Sequence, residues 1–160
     1  MTISIGDTIP NVKVMMATAA GPEQADTGDI LGQGKIALFS LPGAFTPTCS
    51  AQHLPGFIQK ADEFKSKGVK KIICMSVNDA FVMQAWAENQ GAGDKVEMLA
   101  DGNGDFARAL GLTMDGKGFG MGERAQRFSV VLEDGVVKQL NIEEPGAFDV
   151  SSAEHMLGQL

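Results

Sequence analysis

The chain reads as an α/β protein with a mixed central sheet flanked by helices, and three observations carry that reading. Short apolar runs at 35–41, 71–77 and 96–100 are bounded by turn residues, as buried strands are. Helical periodicity separates them, so the strands are joined by crossovers and run parallel. Two closing apolar runs, at 127–132 and 136–140, are split by Glu133-Asp134-Gly135 and add a hairpin. No repeat or linker interrupts the 160 residues, a length that suits one domain, 1–160, with a sizeable core.

Residues 1–34 carry turn chemistry (Gly6-Asp7, Gly21-Pro22, Gly32-Gln33-Gly34) and little periodicity. They read as an extension packed on the main fold, with a weak outer strand at 12–15 and a loop or single helical turn at 26–31. After the strand at 35–41, Thr46 and Pro47 open a helix, as N-cap and first helical residue. Its apolar side is Leu54, Phe57, Ile58, Ala61 and Phe64, and Gly68 ends it. Pro55 lies inside and is expected to bend it, because it cannot donate to the carbonyl of Ala51. Asn78-Asp79 caps the next helix, Ala80 to about Asn89, whose expected core face is Phe81, Ala85 and Trp86. Gly91 and Gly93 end it. A short helix from Gly104 to Leu110 follows the third strand and stops at Gly111. Residues 113–122 hold four glycines and no core pattern, and are expected to be a mobile surface loop. A last helix begins at Ser151 or Ser152.

The net charge is −7, with 13 basic and 20 acidic residues, which argues against nucleic acid or an anionic membrane as partner. No apolar run approaches the ~18–20 residues of a membrane span, and the first residues lack the pattern of a signal peptide. Two cysteines do not make a disulfide scaffold. They suit a reducing compartment, and a cytoplasmic location is expected.

The chemistry concentrates in Leu41-Pro42-Gly43-Ala44-Phe45-Thr46-Pro47-Thr48-Cys49-Ser50. Cys49 falls in the first turn of the helix, where free N–H groups and the positive dipole end favour a thiolate. Strand, turn, then cysteine at a helix start is the thioredoxin layout. The first cysteine of Cys-x-x-Cys is here Thr46, however, so dithiol exchange within the motif is lost. A hydroxyl beside a lone thiolate suits attack on an O–O bond.

The string Pro42-x-x-x-Thr46-x-x-Cys49 resembles the active-site motif of the peroxiredoxins, and its longer form their type II (peroxiredoxin-five-like) subfamily. Ser76–Met83, Leu99–Gly104 and Arg127-Phe128-Ser129 extend the resemblance along the chain. It implies a thioredoxin-like fold and reduction of hydrogen peroxide and alkyl hydroperoxides without cofactor or metal. Cys49 matches the peroxidatic cysteine, oxidised to a sulfenic acid and recycled by a thiol. Thr46 matches the residue that hydrogen-bonds peroxide, Pro42 the one that shields sulfur from water, and Arg127 the active-site arginine. A homodimer is also implied, with Phe45 and Phe81 as interface candidates.

Each residue has a plainer reading. Cysteine is commonly a small buried hydrophobe, Thr46 can be only a cap, and Arg127 can be a solvated strand residue, with Arg124 as a competitor. Cys74, inside an apolar strand, is either an inert packed thiol or a resolving partner for Cys49. The expected reductant is external: glutathione, glutaredoxin or thioredoxin. His53 stands four residues after Cys49, but no third group or oxyanion hole completes a hydrolase. His155 reads as a surface residue, and the histidines and cysteines have no metal-ligand spacing. A peroxide sensor that passes oxidation to a partner, and a disulfide oxidoreductase, stand as the alternatives.

Overall fold

A computed structural model describes residues 2–160. The strands are Lys13–Thr18 (β1), Gly21–Asp26 (β2), Lys35–Ser40 (β3), Lys71–Ser76 (β4), Glu97–Ala100 (β5), Thr113–Asp115 (β6), Glu123–Ala125 (β7), Phe128–Glu133 (β8) and Val136–Ile142 (β9). The helices are Thr27–Ile30 (α1), Leu54–Gln59 (α2), Ala61–Ser66 (α3), Ala80–Gln90 (α4), Asp105–Leu110 (α5) and Ala153–Gln159 (α6). Seven strands form one mixed sheet in the order β2-β1-β5-β4-β3-β8-β9, and β6 and β7 form a separate ribbon. β3, β4 and β5 are parallel, while β1 joins β5 and β8 joins β3 antiparallel.

The central strands alternate between two cores, as a period of two requires. Ala37 and Phe39 of β3 and Ile72 and Cys74 of β4 face one core, with Phe57, Phe64, Trp86 and Met156 of the covering helices. Ile36, Leu38, Ile73 and Met75 face the other, with Phe106, Leu110 and Leu31. Helices thus lie on both faces, as the sequence predicts. The hairpin turn Asp134-Gly135 has positive φ at both positions (50° and 80°), which matches the right-handed twist of β8 and β9.

Four expectations change. The N-terminal region contributes a hairpin, and its second strand β2, not β1, is the sheet edge. Gly21-Pro22 and the exposed Glu23 and Gln24 hide that strand, because an edge needs no apolar alternation. Residues 113–122 are not a loop but most of the β6–β7 ribbon, with a 3-10 turn at Lys117–Phe119. In α4 the buried residues are Ala80, Met83, Trp86 and Ala87; Phe81 is 75% exposed and Ala85 is also exposed. The packing stripe lies about one residue away in phase from the expected one. Finally, the helix containing Pro55 is not one bent rod. A π-helical turn over Cys49–His53 precedes Pro55, with Leu54 N–H reaching back five residues to the Cys49 carbonyl. A second irregularity at Lys60 separates α2 from α3.

Candidate active site

The site forms where β3 stops. Leu41 N–H still donates to the Met75 carbonyl, and Pro42 then starts a turn that leads into the helix at Pro47. Several contacts hold this turn. Asn78 Oδ1 accepts from Ala44 N–H (3.0 Å) and from the Ser76 hydroxyl (2.6 Å). Phe45 takes φ of 64°, an uncommon left-handed conformation for an aromatic residue. Gly43 is closely approached by three side chains, which would have to give by a few tenths of an ångström to admit a Cβ. A Cβ there would lie 3.0 Å from Arg124 Nη1, 3.1 Å from Met121 Cε and 3.2 Å from Thr46 Cγ2. The Thr46 hydroxyl donates back to the Gly43 carbonyl at 2.6 Å, so it does not cap the helix with its side chain as expected.

Cys49, the third helical residue, is fully buried and free. Arg127, one residue before β8, reaches it from the sheet. Its Nη2 donates to Cys49 Sγ at 3.0 Å, and its Nη1 donates to His53 Nδ1 at 2.8 Å. The second face of that imidazole fixes its tautomer. His53 Nε2 lies 3.0 Å from the Ser151 carbonyl, which can only accept, so Nε2 carries the hydrogen and Nδ1 keeps the lone pair that Arg127 needs. His53 is fully buried. Burial, reinforced by the Arg127 charge, pushes its pKa down to about 3, against the opposing Ser151 hydrogen bond and Glu143 charge. The ring is therefore neutral. Phe39 and Phe148 pack against it at 4.9 and 5.0 Å between centroids, and Phe148 also lies 5.8 Å from Arg127 Cζ.

Of the two arginines, Arg127 takes the sulfur and Arg124 takes the loop. Arg124 Nη1 donates to the Pro42 carbonyl (3.1 Å) and its Nε to the Met121 carbonyl (2.9 Å), tying the β6–β7 ribbon to the turn. Trp86 Nε1 donates to Ser50 Oγ at 3.0 Å and ties α4 to the turn of Cys49. Cys74, opposite Phe39 in the parallel ladder, is fully buried. Burial pushes its thiol well above the ordinary range, with Cys49 adding and Arg127 opposing. Phe45 and Phe81 are 53% and 75% exposed. His155 is exposed, as expected.

The sequence assigns His53 no role, because no third group or oxyanion hole beside it completes a hydrolase site. The partner of His53 is Arg127, supplied 74 residues away. The spacing of four between Cys49 and His53 was the available signal, since it puts both on one side of a helix.

This arrangement holds a fully buried sulfur under a cationic donor. Anionic sulfur is the stronger acceptor of a guanidinium hydrogen bond and the reactive form of the thiol. Among the described residues no group of three or more His, Cys, Asp or Glu is placed to hold a metal ion.

Comparison with known proteins places these residues in context. Residues 4–157 match the model of the Redoxin family. The chain is 50% identical over 164 residues to peroxiredoxin-2E-2, chloroplastic, of Oryza sativa subsp. japonica, covering 99% of this chain and 73% of the relative. It is 45% identical to peroxiredoxin-2B of Arabidopsis thaliana, covering 99% and 98%. Among solved structures, reduced Prx3 of Vibrio vulnificus in complex with H2O2 superposes with a TM-score of 0.94 at 47% identity, over 99% of both chains.

Proposed function

The chain belongs to the peroxiredoxins, thiol peroxidases of the redoxin family, and we propose that Cys49 is the sulfur with which it reduces hydrogen peroxide and alkyl hydroperoxides. One observation carries the assignment: the 3.0 Å contact of the Arg127 guanidinium with the buried Cys49 Sγ. The unit is a single thioredoxin-like domain spanning 1–160.

The thiolate attacks the terminal peroxide oxygen, the S–O bond forms and the O–O bond breaks. Sulfur is oxidised by two electrons to a sulfenic acid, and the second oxygen leaves as water or alcohol after taking up a proton. Arg127 supports the anionic sulfur and then the charge developing across the O–O bond. Because the Thr46 hydrogen is committed to the Gly43 carbonyl, its oxygen lone pairs are free to accept from the peroxide O–H. Pro42 closes the turn over the site, and Arg124 keeps it there.

Recycling uses an external thiol, from glutathione, glutaredoxin or thioredoxin. A thiol condenses with the sulfenic acid, releasing water and forming a mixed disulfide, and a second thiol releases Cys49 with a new disulfide. Cys74 is disfavoured as the resolving thiol because burial keeps it protonated in the middle of a strand. The protein acts as a homodimer through the exposed Phe45 and Phe81, which light scattering at working concentration checks; a monomer removes the claim. A reducing compartment, the cytoplasm, suits two free thiols.

Peroxide consumption over many equivalents, with each reductant, tests the reading on wild type, Cys49→Ser and Cys74→Ser. Activity is expected to vanish in Cys49→Ser and persist in Cys74→Ser. Full activity in Cys49→Ser overturns the assignment, and a single stoichiometric oxidation with excess reductant favours a sensor.

A further inference from the structure

His53 and Arg127 are both braced by one segment that carries no catalytic group, residues 143–152. Phe148 lies against the His53 ring and the Arg127 guanidinium, and the Ser151 carbonyl accepts from His53 Nε2. The segment has no regular secondary structure of its own between Ile142 and α6. Its shape is imposed by one carboxylate. Glu143 Oε2 accepts from Asp149 N–H (2.6 Å), Ser151 N–H (2.8 Å) and the Ser151 hydroxyl (2.7 Å). The Glu143 backbone in turn donates to the Arg127 carbonyl at 3.0 Å, so the same residue anchors on the strand that carries the arginine.

Glu143 is 8% exposed, and among the described residues it forms no salt bridge. Burial opposes its ionisation. The Ser151 hydroxyl and the Asp149, Ser151 and Val150 N–H donors outweigh burial and hold its carboxyl below the usual glutamate range. A buried carboxylate that spends all its contacts on one loop has that loop's shape as its consequence.

We infer that Glu143 is a positioning residue for the peroxidatic site: by folding residues 143–152 around its carboxylate it fixes the Ser151 carbonyl on His53, and through His53 the direction in which Arg127 presents its N–H to Cys49. The path is contiguous, from Glu143 to Ser151, to His53 Nε2, from His53 Nδ1 to Arg127, and from Arg127 to Sγ. Every link is a hydrogen bond of 2.7–3.0 Å. The inference rests on the peroxidase reading for its rate measurement, but not for its spectroscopic one.

The test compares Glu143→Gln, which keeps an accepting oxygen, with Glu143→Ala, which does not. Two readouts are taken on the full chain: nitrogen-15 chemical shifts of the His53 ring, and the single-turnover rate constant of Cys49 oxidation by hydrogen peroxide. Wild type is expected to show one Nε2–H tautomer. Glu143→Ala should give averaged tautomer shifts and a rate about tenfold lower, the equivalent of about 1.4 kcal/mol. Glu143→Gln should restore the single tautomer and bring the rate within about threefold of wild type. A purely structural glutamate would not link the tautomer to the rate. Unaltered His53 shifts in folded Glu143→Ala, or equal rate losses in both variants, overturn the inference. If Glu143→Ala does not fold, Ser151→Ala, which removes the hydroxyl donor, is measured instead. It should slow oxidation about threefold and perturb the His53 signals, and no change in either overturns the inference. A wild type inert to peroxide would refute the peroxidase reading while leaving the His53 signals to decide the role of Glu143.

Discussion

Acid should unfold this protein through His53, and replacing that residue by glutamine should remove most of the effect between pH 7 and 5. In the folded chain the ring stays neutral down to about pH 3, because it is buried beside Arg127. In the unfolded chain it takes a proton near 6.5. Between those values the unfolded state binds the extra proton, so stability is full above pH 6.5 and falls as pH drops toward 3. At about 1.36 kcal/mol per pH unit, the loss is about 2 kcal/mol at pH 5 and approaches about 5 kcal/mol near pH 3. Glu143, whose folded value is lowered, loses stability in the same direction, but carboxylates contribute mainly below about pH 5. The assay is urea unfolding of wild type and His53→Gln at pH 7 and pH 5. His53→Gln should be less stable at pH 7, since it leaves a cavity among Phe39, Phe57 and Phe148 and weakens a bond to Arg127. Its drop from pH 7 to 5 should nevertheless be about 2 kcal/mol smaller than that of wild type. Equal drops in the two proteins would refute the neutral buried imidazole, and with it the geometry that orients Arg127.

Two further outcomes follow from single contacts. Arg127→Lys keeps the charge but offers a point donor where two separate N–H groups now serve Cys49 and His53, so alkylation of Cys49 by iodoacetamide at pH 7 should slow about tenfold or more; an unchanged rate would show that charge alone suffices. Ser129 Oγ is buried with no hydrogen-bond partner among the described residues, so Ser129→Ala should stabilise the fold by about 1 kcal/mol and raise the Tm by about 2–4 °C; a lower Tm would mean that the hydroxyl is satisfied after all.

Local chemistry was legible in the sequence wherever an element's own residues decide its structure. The strands at 35–40 and 71–76 were visible as apolar runs because both of their faces are buried. Asp79 and Ser152 were readable as caps, and each accepts the N–H of a residue three further on. The turn from Pro42 to Cys49 was readable because proline, threonine and cysteine at that spacing specify a helix start with a sulfur in its first turn. What escaped was set by partners distant in sequence. Edge strand β2 needs no hydrophobic alternation, and the ribbon at 113–125 is defined by pairing and by Arg124 gripping the Pro42 turn. The phase of α4 was fixed by the core it covers, not by its own weak amphipathicity, which left Phe81 outside. The π-helical turn at Cys49–His53 is likewise a tertiary outcome, and it stands where His53 meets Arg127. Sequence by itself determined which sulfur stands at a helix start. The resemblance already pointed to Arg127; only the tertiary structure shows how Arg127 reaches that sulfur while Arg124 holds the Pro42 turn, that His53 serves the arginine, and that Glu143 shapes the segment behind them. Hydrogen bonds between residues 74 and 78 positions apart leave no local periodicity to read.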